Sequence, residues 1–152
     1  MSLESVRAFL QANAPDIKII ETDASSSTVE LAAKAHHVEP AQIAKTICLG
    51  VGAKTLLIVT SGVARLDNRK VKDVLGGKGR MLSAEQVLAI TGHSVGGVCP
   101  FGLRSPLPVY CDISLKCFKE VVPAAGSGNA ALKIATDRLV ELTGATWVDV
   151  CR

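Results

Sequence analysis

Aromatic side chains are scarce: Phe9, Phe101, Phe118, Tyr110 and Trp147 account for 3% of the 152 residues. The core must therefore be aliphatic, and the stacked aromatic platforms that grip single-stranded nucleic acid are not to be expected. Any nucleic-acid contact would be mainly electrostatic, yet 17 Lys and Arg against 14 Asp and Glu leave a net charge of only +3. That balance permits such a partner without requiring one. Long apolar runs are missing too. The first residues, Met1 to Arg7, have no signal-like apolar stretch and no segment reaches membrane-spanning length, so the expectation is a soluble cytoplasmic protein with no membrane partner.

Other signatures are also wanting. Five cysteines (Cys48, Cys99, Cys111, Cys117, Cys151) include no CxxC pair, which argues against a zinc site or a disulfide framework and for buried thiols. There is no Gly-x-Ser-x-Gly nucleophile elbow and no Walker loop, and the glycine-rich stretch that is present does not follow a strand as a dinucleotide fingerprint would. Neither cofactor nor metal is expected.

What is present is a globular balance, 48% hydrophobic and 20% charged, in a length that suits one domain over residues 1–152. Leu3, Val6, Phe9 and Leu10 recur at helical spacing until Pro15. Residues 17–21 read as a strand, and Ser27 with Glu30 as a capping box opening a helix through Ala35. Pro40 begins a short helix. Lys45–Val51 and Lys54–Thr60 read as a hairpin. Asp67 caps a helix stopped by Gly76-Gly77, and Ser83 with Gln86 forms a capping box for a helix to Ile90. Residues 108–113, 121–125, 131–135 and 146–150 read as strands, and Thr136 or Asp137 caps a helix ending before Gly144. Irregular interspersion favours α+β with a mixed sheet over a doubly wound fold.

The chemistry concentrates in two loops and one cation. Residues 92–102 hold four glycines and a proline, so their backbone can approach a ligand closely and offer amide donors; a tight irregular connection is the plainer alternative. Gly126-Ser127-Gly128-Asn129 is a second such loop. Lys45 opens an apolar strand, where its ammonium either meets an anionic partner or reaches back to water along the strand edge. Cys99 beside Pro100 is either a thiolate or a small buried hydrophobe. His36 and His37 are expected at the surface. Asp112 is placed to hold a loop or a cation, and Asp137 to cap a helix.

Taken in order, Ala44-Lys45-Thr46, Gly92-x-x-x-Gly96-Gly97-x-x-Pro100-Phe101-Gly102, Asp112 and Ala125-Gly126 resemble the YbaK/ProX family of aminoacyl-tRNA deacylases, from about Ser27 to the carboxyl terminus. That family is related to the editing domain inserted in bacterial prolyl-tRNA synthetases. The resemblance implies a partly barrel-like mixed sheet flanked by helices. It also implies trans-editing of mischarged tRNA, most often tRNA for proline, with prolyl-tRNA synthetase a candidate second partner. Lys45 then contacts the substrate carbonyl or a terminal phosphate as the catalytic lysine. Gly96, Gly97 and Phe101 wall the aminoacyl pocket, and Gly126, Ser127, Gly128 and Asp137 complete the binding set.

Two departures leave the amino acid open. Thr22 to Thr28 has no aromatic where cysteine-specific deacylases have some, and the synthetase domain's histidine near the carboxyl end has no counterpart. With no catalytic triad in view, the expected reaction is attack by water, or by the substrate's own hydroxyl or side chain, on an ester held by Lys45 and loop amides. A non-catalytic module for an aminoacyl-adenylate-like or nucleotide ligand is the alternative, and a cysteine-based enzyme the third.

Overall fold

The structure is a computed structural model and describes residues 2–152. The first helix, α1 (Ser2–Asn13), buries Val6 and Leu10, the apolar stripe that its spacing predicts. After it β1 is short, Ile20–Glu21. The next helix, α2 (Val29–His36), is capped by Thr28, whose side chain accepts from Leu31 N–H, and not by Ser27. Ser27 is drawn into the preceding turn, where its hydroxyl meets that of Ser25 at 2.9 Å.

A 3-10 turn at Pro40–Gln42 leads into β2 (Ile43–Val51), which turns at Gly52-Ala53 into β3 (Lys54–Ser61). The hairpin runs as the sequence suggests. Asp67 caps α3 (Asn68–Leu75), and Gly76 ends it in the left-handed region, where glycine carries no penalty. A strand not foreseen, β4 (Gly79–Met81), comes next. The expected reciprocal capping box of Ser83 and Gln86 starts α4 (Ala84–Thr91).

Beyond the glycine-rich loop lie β5 (Val109–Asp112), a 3-10 turn at Ile113–Cys117, β6 (Glu120–Pro123), β7 (Ala130–Ala131) and β8 (Ile134–Ala135). They are followed by α5 (Thr136–Thr143) and β9 (Thr146–Val148). No side chain caps α5. Thr136 is engaged elsewhere, its hydroxyl donating to the Phe118 carbonyl at 2.6 Å, and Asp137 is exposed in the first turn.

The main sheet has the order β8-β6-β2-β3-β5-β9, with β4 also on β2, while β1 pairs with β7 apart from it. Parallel and antiparallel pairs are both present. The sheet curls into a half-barrel flanked by helices, an α+β fold. Its largest apolar cluster joins α1, the Val98, Cys99 and Phe101 side chains of the glycine loop and the strands around the fully buried Phe101, Leu57, Leu115, Leu132 and Leu139.

β2 organises this sheet. One edge pairs with β3 without interruption from Ala44↔Ser61 to Val51↔Lys54. The other edge is divided: β6 runs parallel to it at Ile43 and Ala44, and β4 runs antiparallel to it from Leu49 to Val51. Between these two partners, Lys45 to Cys48 have no strand beside them on that edge among the described residues.

Asp112, read from the sequence as a holder of a loop or a cation, holds two backbone segments. One carboxylate oxygen accepts from Ser114 N–H and the other from Val150 N–H, each at 2.9 Å. Burial pushes its pKa up, but these hydrogen bonds and one from Cys151 outweigh that and hold it below the ordinary value. A depressed pKa means stability that is complete above the unfolded value, about pH 4, and fades as pH falls through the folded one. Asp112→Ala is expected to cost about 3 kcal/mol at pH 7, read from urea unfolding, with the gap to wild type narrowing in acid.

Candidate active site

A cavity of about 260 Å³ opens where β4 and β6 fail to meet. Its floor is β2 from Ile43 to Cys48, including the bare stretch Lys45 to Cys48, and its sides come from α2, α4, the glycine loop and the segment around Ala124 and Ala130. The walls are mostly aliphatic, with Val87, Val98 and Val122 among them; Ser26, Ser27 and Thr28 line one side. Met81 and Val95, 71% and 66% exposed, stand among the lining residues as an apolar rim.

Lys45 lines this cavity and is half-buried. Neither sequence expectation describes its partners, for its ammonium donates to two main-chain carbonyls, Gly62 at 3.2 Å and Ala64 at 2.7 Å. Burial, with Arg65 as a lesser repulsive neighbour, lowers its pKa, against weaker opposing effects of Cys151 and Glu30. An ammonium has three donors, so two carbonyls hold it in place and one N–H remains for a ligand. Next to it Thr46 also lines the cavity, and its buried Oγ1 has no hydrogen-bond partner among the described residues.

Three loops converge at the cavity. Gly126 N–H donates to the Gly97 carbonyl at 3.0 Å, and Ser26 N–H to the Gly128 carbonyl at 2.7 Å. Gly97 approaches so closely that a Cβ there would lie 2.6 Å from the Gly126 carbonyl carbon and Ser127 nitrogen. Its missing side chain thus allows two backbones to touch. Gly96 lines the cavity, whereas Gly97, Gly126, Ser127 and Gly128 form the layer next to it. Phe101 is fully buried in the core, its ring tilted against Phe9 at 6.0 Å, and supports the glycine loop from behind. Asp137 lies on α5, outside the lining.

The histidine and cysteine of the glycine loop form a buried pair. His93 Nε2 donates to the Phe101 carbonyl at 2.7 Å, so Nδ1 is the acceptor for the Ser2 hydroxyl. Cys99 Sγ lies 3.6 Å from Nε2. Both side chains are fully buried; burial lowers the His93 pKa and pushes the Cys99 thiol up to about 12. A neutral thiol with no access to the cavity is no nucleophile. The thiol that does line the cavity is Cys48, also raised by burial. His36, expected at the surface, is buried, with Nε2 unpartnered.

Comparison with known proteins accords with this geometry. Residues 23–142 match the family described as aminoacyl-tRNA editing domain. The uncharacterized protein YwhH of Bacillus subtilis is 45% identical over all of this chain and 98% of its own length. EbsC of Enterococcus faecalis, a candidate Cys-tRNA(Pro)/Cys-tRNA(Cys) deacylase, is 26% identical over 81% of this chain and 76% of its own. Among solved structures, a candidate trans-editing enzyme for prolyl-tRNA synthetase superposes with a TM-score of 0.93 at 34% identity, covering 99% of this chain and 97% of that one.

The glycine positions separate two kinds of constraint. Gly97→Ala should force the two loops apart and lower stability by about 1–3 kcal/mol. Gly128→Ala, whose added carbon meets only Ser27 Cβ at an ordinary 3.6 Å, should stay within about 0.5 kcal/mol of wild type. Chemical denaturation of the two variants side by side checks the contrast.

Proposed function

The chain belongs to the aminoacyl-tRNA editing domain family, and from that premise we propose that it acts in trans as a deacylase. It hydrolyses the ester between a small wrong amino acid and tRNA for proline. The described chain acts as one editing unit in the cytoplasm, on a tRNA charged by prolyl-tRNA synthetase. The observation that carries this reading is the cavity over the bare stretch of β2: small, walled by aliphatic side chains, and bordered by one fixed ammonium.

Such a cavity acts as a sieve. One methylene distinguishes amino acids by only about 1–3 kcal/mol in a synthetase pocket, so near-isosteres of the right substrate are mischarged. A second pocket that excludes the larger, correct residue removes them. The walls contributed by Ala44, Ala124, Ala130 and Ala131 leave room for a small side chain. The remaining donor of Lys45 meets the terminal ribose-phosphate or the ester, and Met81 and Val95 offer apolar surface to the terminal adenine. Gly96 and Phe101 shape the loop from the front and behind, and Gly97, Gly126, Ser127 and Gly128 hold the two loops together. Asp137, on α5 outside the lining, meets the tRNA body and not the acyl group.

Hydrolysis proceeds by attack of water on the acyl carbon. The new carbon–oxygen bond moves the carbonyl electron pair onto oxygen; collapse of the adduct restores the carbonyl and expels the ribose oxygen, which leaves with a proton from the attacking water. No acyl-enzyme forms, because Cys99 is sealed in the core and the cavity's own thiol, Cys48, is held neutral.

A panel of tRNA for proline charged with alanine, serine, cysteine and 2-aminobutyrate tests the reading. Wild type should release one or more of these amino acids over many turnovers, Lys45→Ala should lower kcat/KM by about 10²-fold, and Cys99→Ala should retain activity. Tight binding without release would instead make the protein a binding module.

A further inference from the structure

The open stretch of β2 turns polar main-chain groups toward an edge on which, among the described residues, no strand pairs with them. Gly62 N–H donates to the Ile43 carbonyl across the hairpin, and in an antiparallel ladder alternate residues turn their N–H and C=O to the same side. Ile43, Lys45 and Ile47 therefore direct theirs at β3, and Ala44, Thr46 and Cys48 direct theirs at the opposite edge. On that edge β6 reaches Ala44 and β4 begins at Leu49. Thr46 falls in the gap, with its N–H turned toward the cavity it lines.

The same residue carries the unpartnered hydroxyl, Oγ1, buried without a hydrogen bond. Buried polar groups are almost always paired, and each one left unmade is costly. An N–H on a strand edge that neither β4 nor β6 reaches, with an unpartnered hydroxyl buried beside it on the same residue, points to a partner outside the folded chain. The charge around them indicates its nature. Among the described residues no Asp or Glu lines the cavity and Lys45 does, so an oxygen gaining negative charge fits there and a ligand ammonium does not. The Gly97 and Gly126 amides, in contrast, are already engaged with the Ser94 and Gly97 carbonyls.

We propose that Thr46 is a catalytic residue that receives the acyl carbonyl oxygen of the substrate, its main-chain N–H and its hydroxyl acting as the two donors. The oxygen takes the place that the carbonyl of a neighbouring strand would occupy, as in strand addition. The hydroxyl joins the N–H by a staggered step about χ1. This inference rests on the deacylase reading. As water adds to the acyl carbon, the electron pair displaced from the carbonyl accumulates on the oxygen facing both donors; when the adduct collapses, the pair returns and the ribose oxygen departs with its proton. Donors aimed at a charge that grows in the transition state accelerate the step more than they strengthen binding.

The test compares wild type with Thr46→Val, Thr46→Ser and a protein in which Thr46 is replaced by its α-hydroxy acid, turning that one amide into an ester. Two quantities are read: single-turnover release from the charged tRNAs, and affinity for 3′-alanylamido-3′-deoxyadenosine, whose amide carbonyl occupies the same place but is not cleaved. The amide-to-ester protein should lose about 10²-fold or more in the chemical step with its unfolding midpoint unchanged, since that N–H has no partner in the fold. Thr46→Val should lose about tenfold and Thr46→Ser recover to within about threefold, and the amide-to-ester and Thr46→Val proteins should bind the analogue about fivefold more weakly. Chemistry and affinity unchanged in the amide-to-ester protein overturn the proposal, as does a loss matched by a fall in stability. If wild type binds the analogue but cleaves no ester, the deacylase reading fails while the affinity series still decides the subsite. Failure to bind as well as to cleave overturns both.

Discussion

Hydrogen bonding in a sheet is shared between two edges, and β2 gives one edge wholly to β3 while dividing the other between two strands that stop short of each other. An interior strand with four residues exposed on one edge is an unusual arrangement, because unpaired main-chain groups shielded from water are costly. Here the opening is kept by what surrounds it. Arg80 in β4 reaches back along β2 to donate to the Gly52 carbonyl at 2.8 Å, fixing the strand to the far end of the hairpin. Pro123 ends β6 with its main-chain carbonyl turned away from β2, accepting from Leu132 N–H at 3.1 Å.

The loops over this opening are held by close backbone approach and not by side chains. Gly97 against Gly126, and Gly102 against Ser5, where an added Cβ would lie 2.6 Å from the Ser5 carbonyl carbon, leave no room for any other residue. His93 completes the set by joining Ser2 of α1 to the Phe101 carbonyl. The amino-terminal helix therefore acts as the back of the site. Its contribution is rigidity: polar groups that are to stabilise developing charge must be fixed before the reaction begins.

Local signals in the sequence located local structure well. Asp67 and Ser83 cap the helices expected of them, the hairpin turns where Gly52 and Ala53 stand, and Gly76 and Gly144 end helices in the left-handed region. Where two candidates competed, other hydrogen-bond partners decided. Ser27 leaves the capping role to Thr28 because its own hydroxyl and N–H are engaged with Ser25, and Thr136 caps nothing because Phe118 takes its hydroxyl. The three residues of β4 carry too little pattern to be read alone and become a strand only because β2 has an edge to offer. For the site, the order of motifs around Lys45 and the two glycine loops indicated the family. The carbonyl partners of Lys45, the burial of Cys99 with His93 and the bare edge at Thr46 depend on residues far apart in the chain, and no spacing along the sequence encodes them.

Fixed cation, apolar walls and unpaired strand edge lie around one cavity, and in the proposed reaction a small acyl group is enclosed there, its polar end is met by groups already in position, and water completes the reaction. The most direct measurement is a map of amide chemical shifts as 3′-alanylamido-3′-deoxyadenosine is titrated into the full chain. The largest changes should fall on Thr46, Cys48, Gly96 and Ala124, around the opening between β4 and β6. Changes confined to the groove beside α1 formed by Arg7, Gln11 and Lys18, with the β2 amides unmoved, would contradict the account.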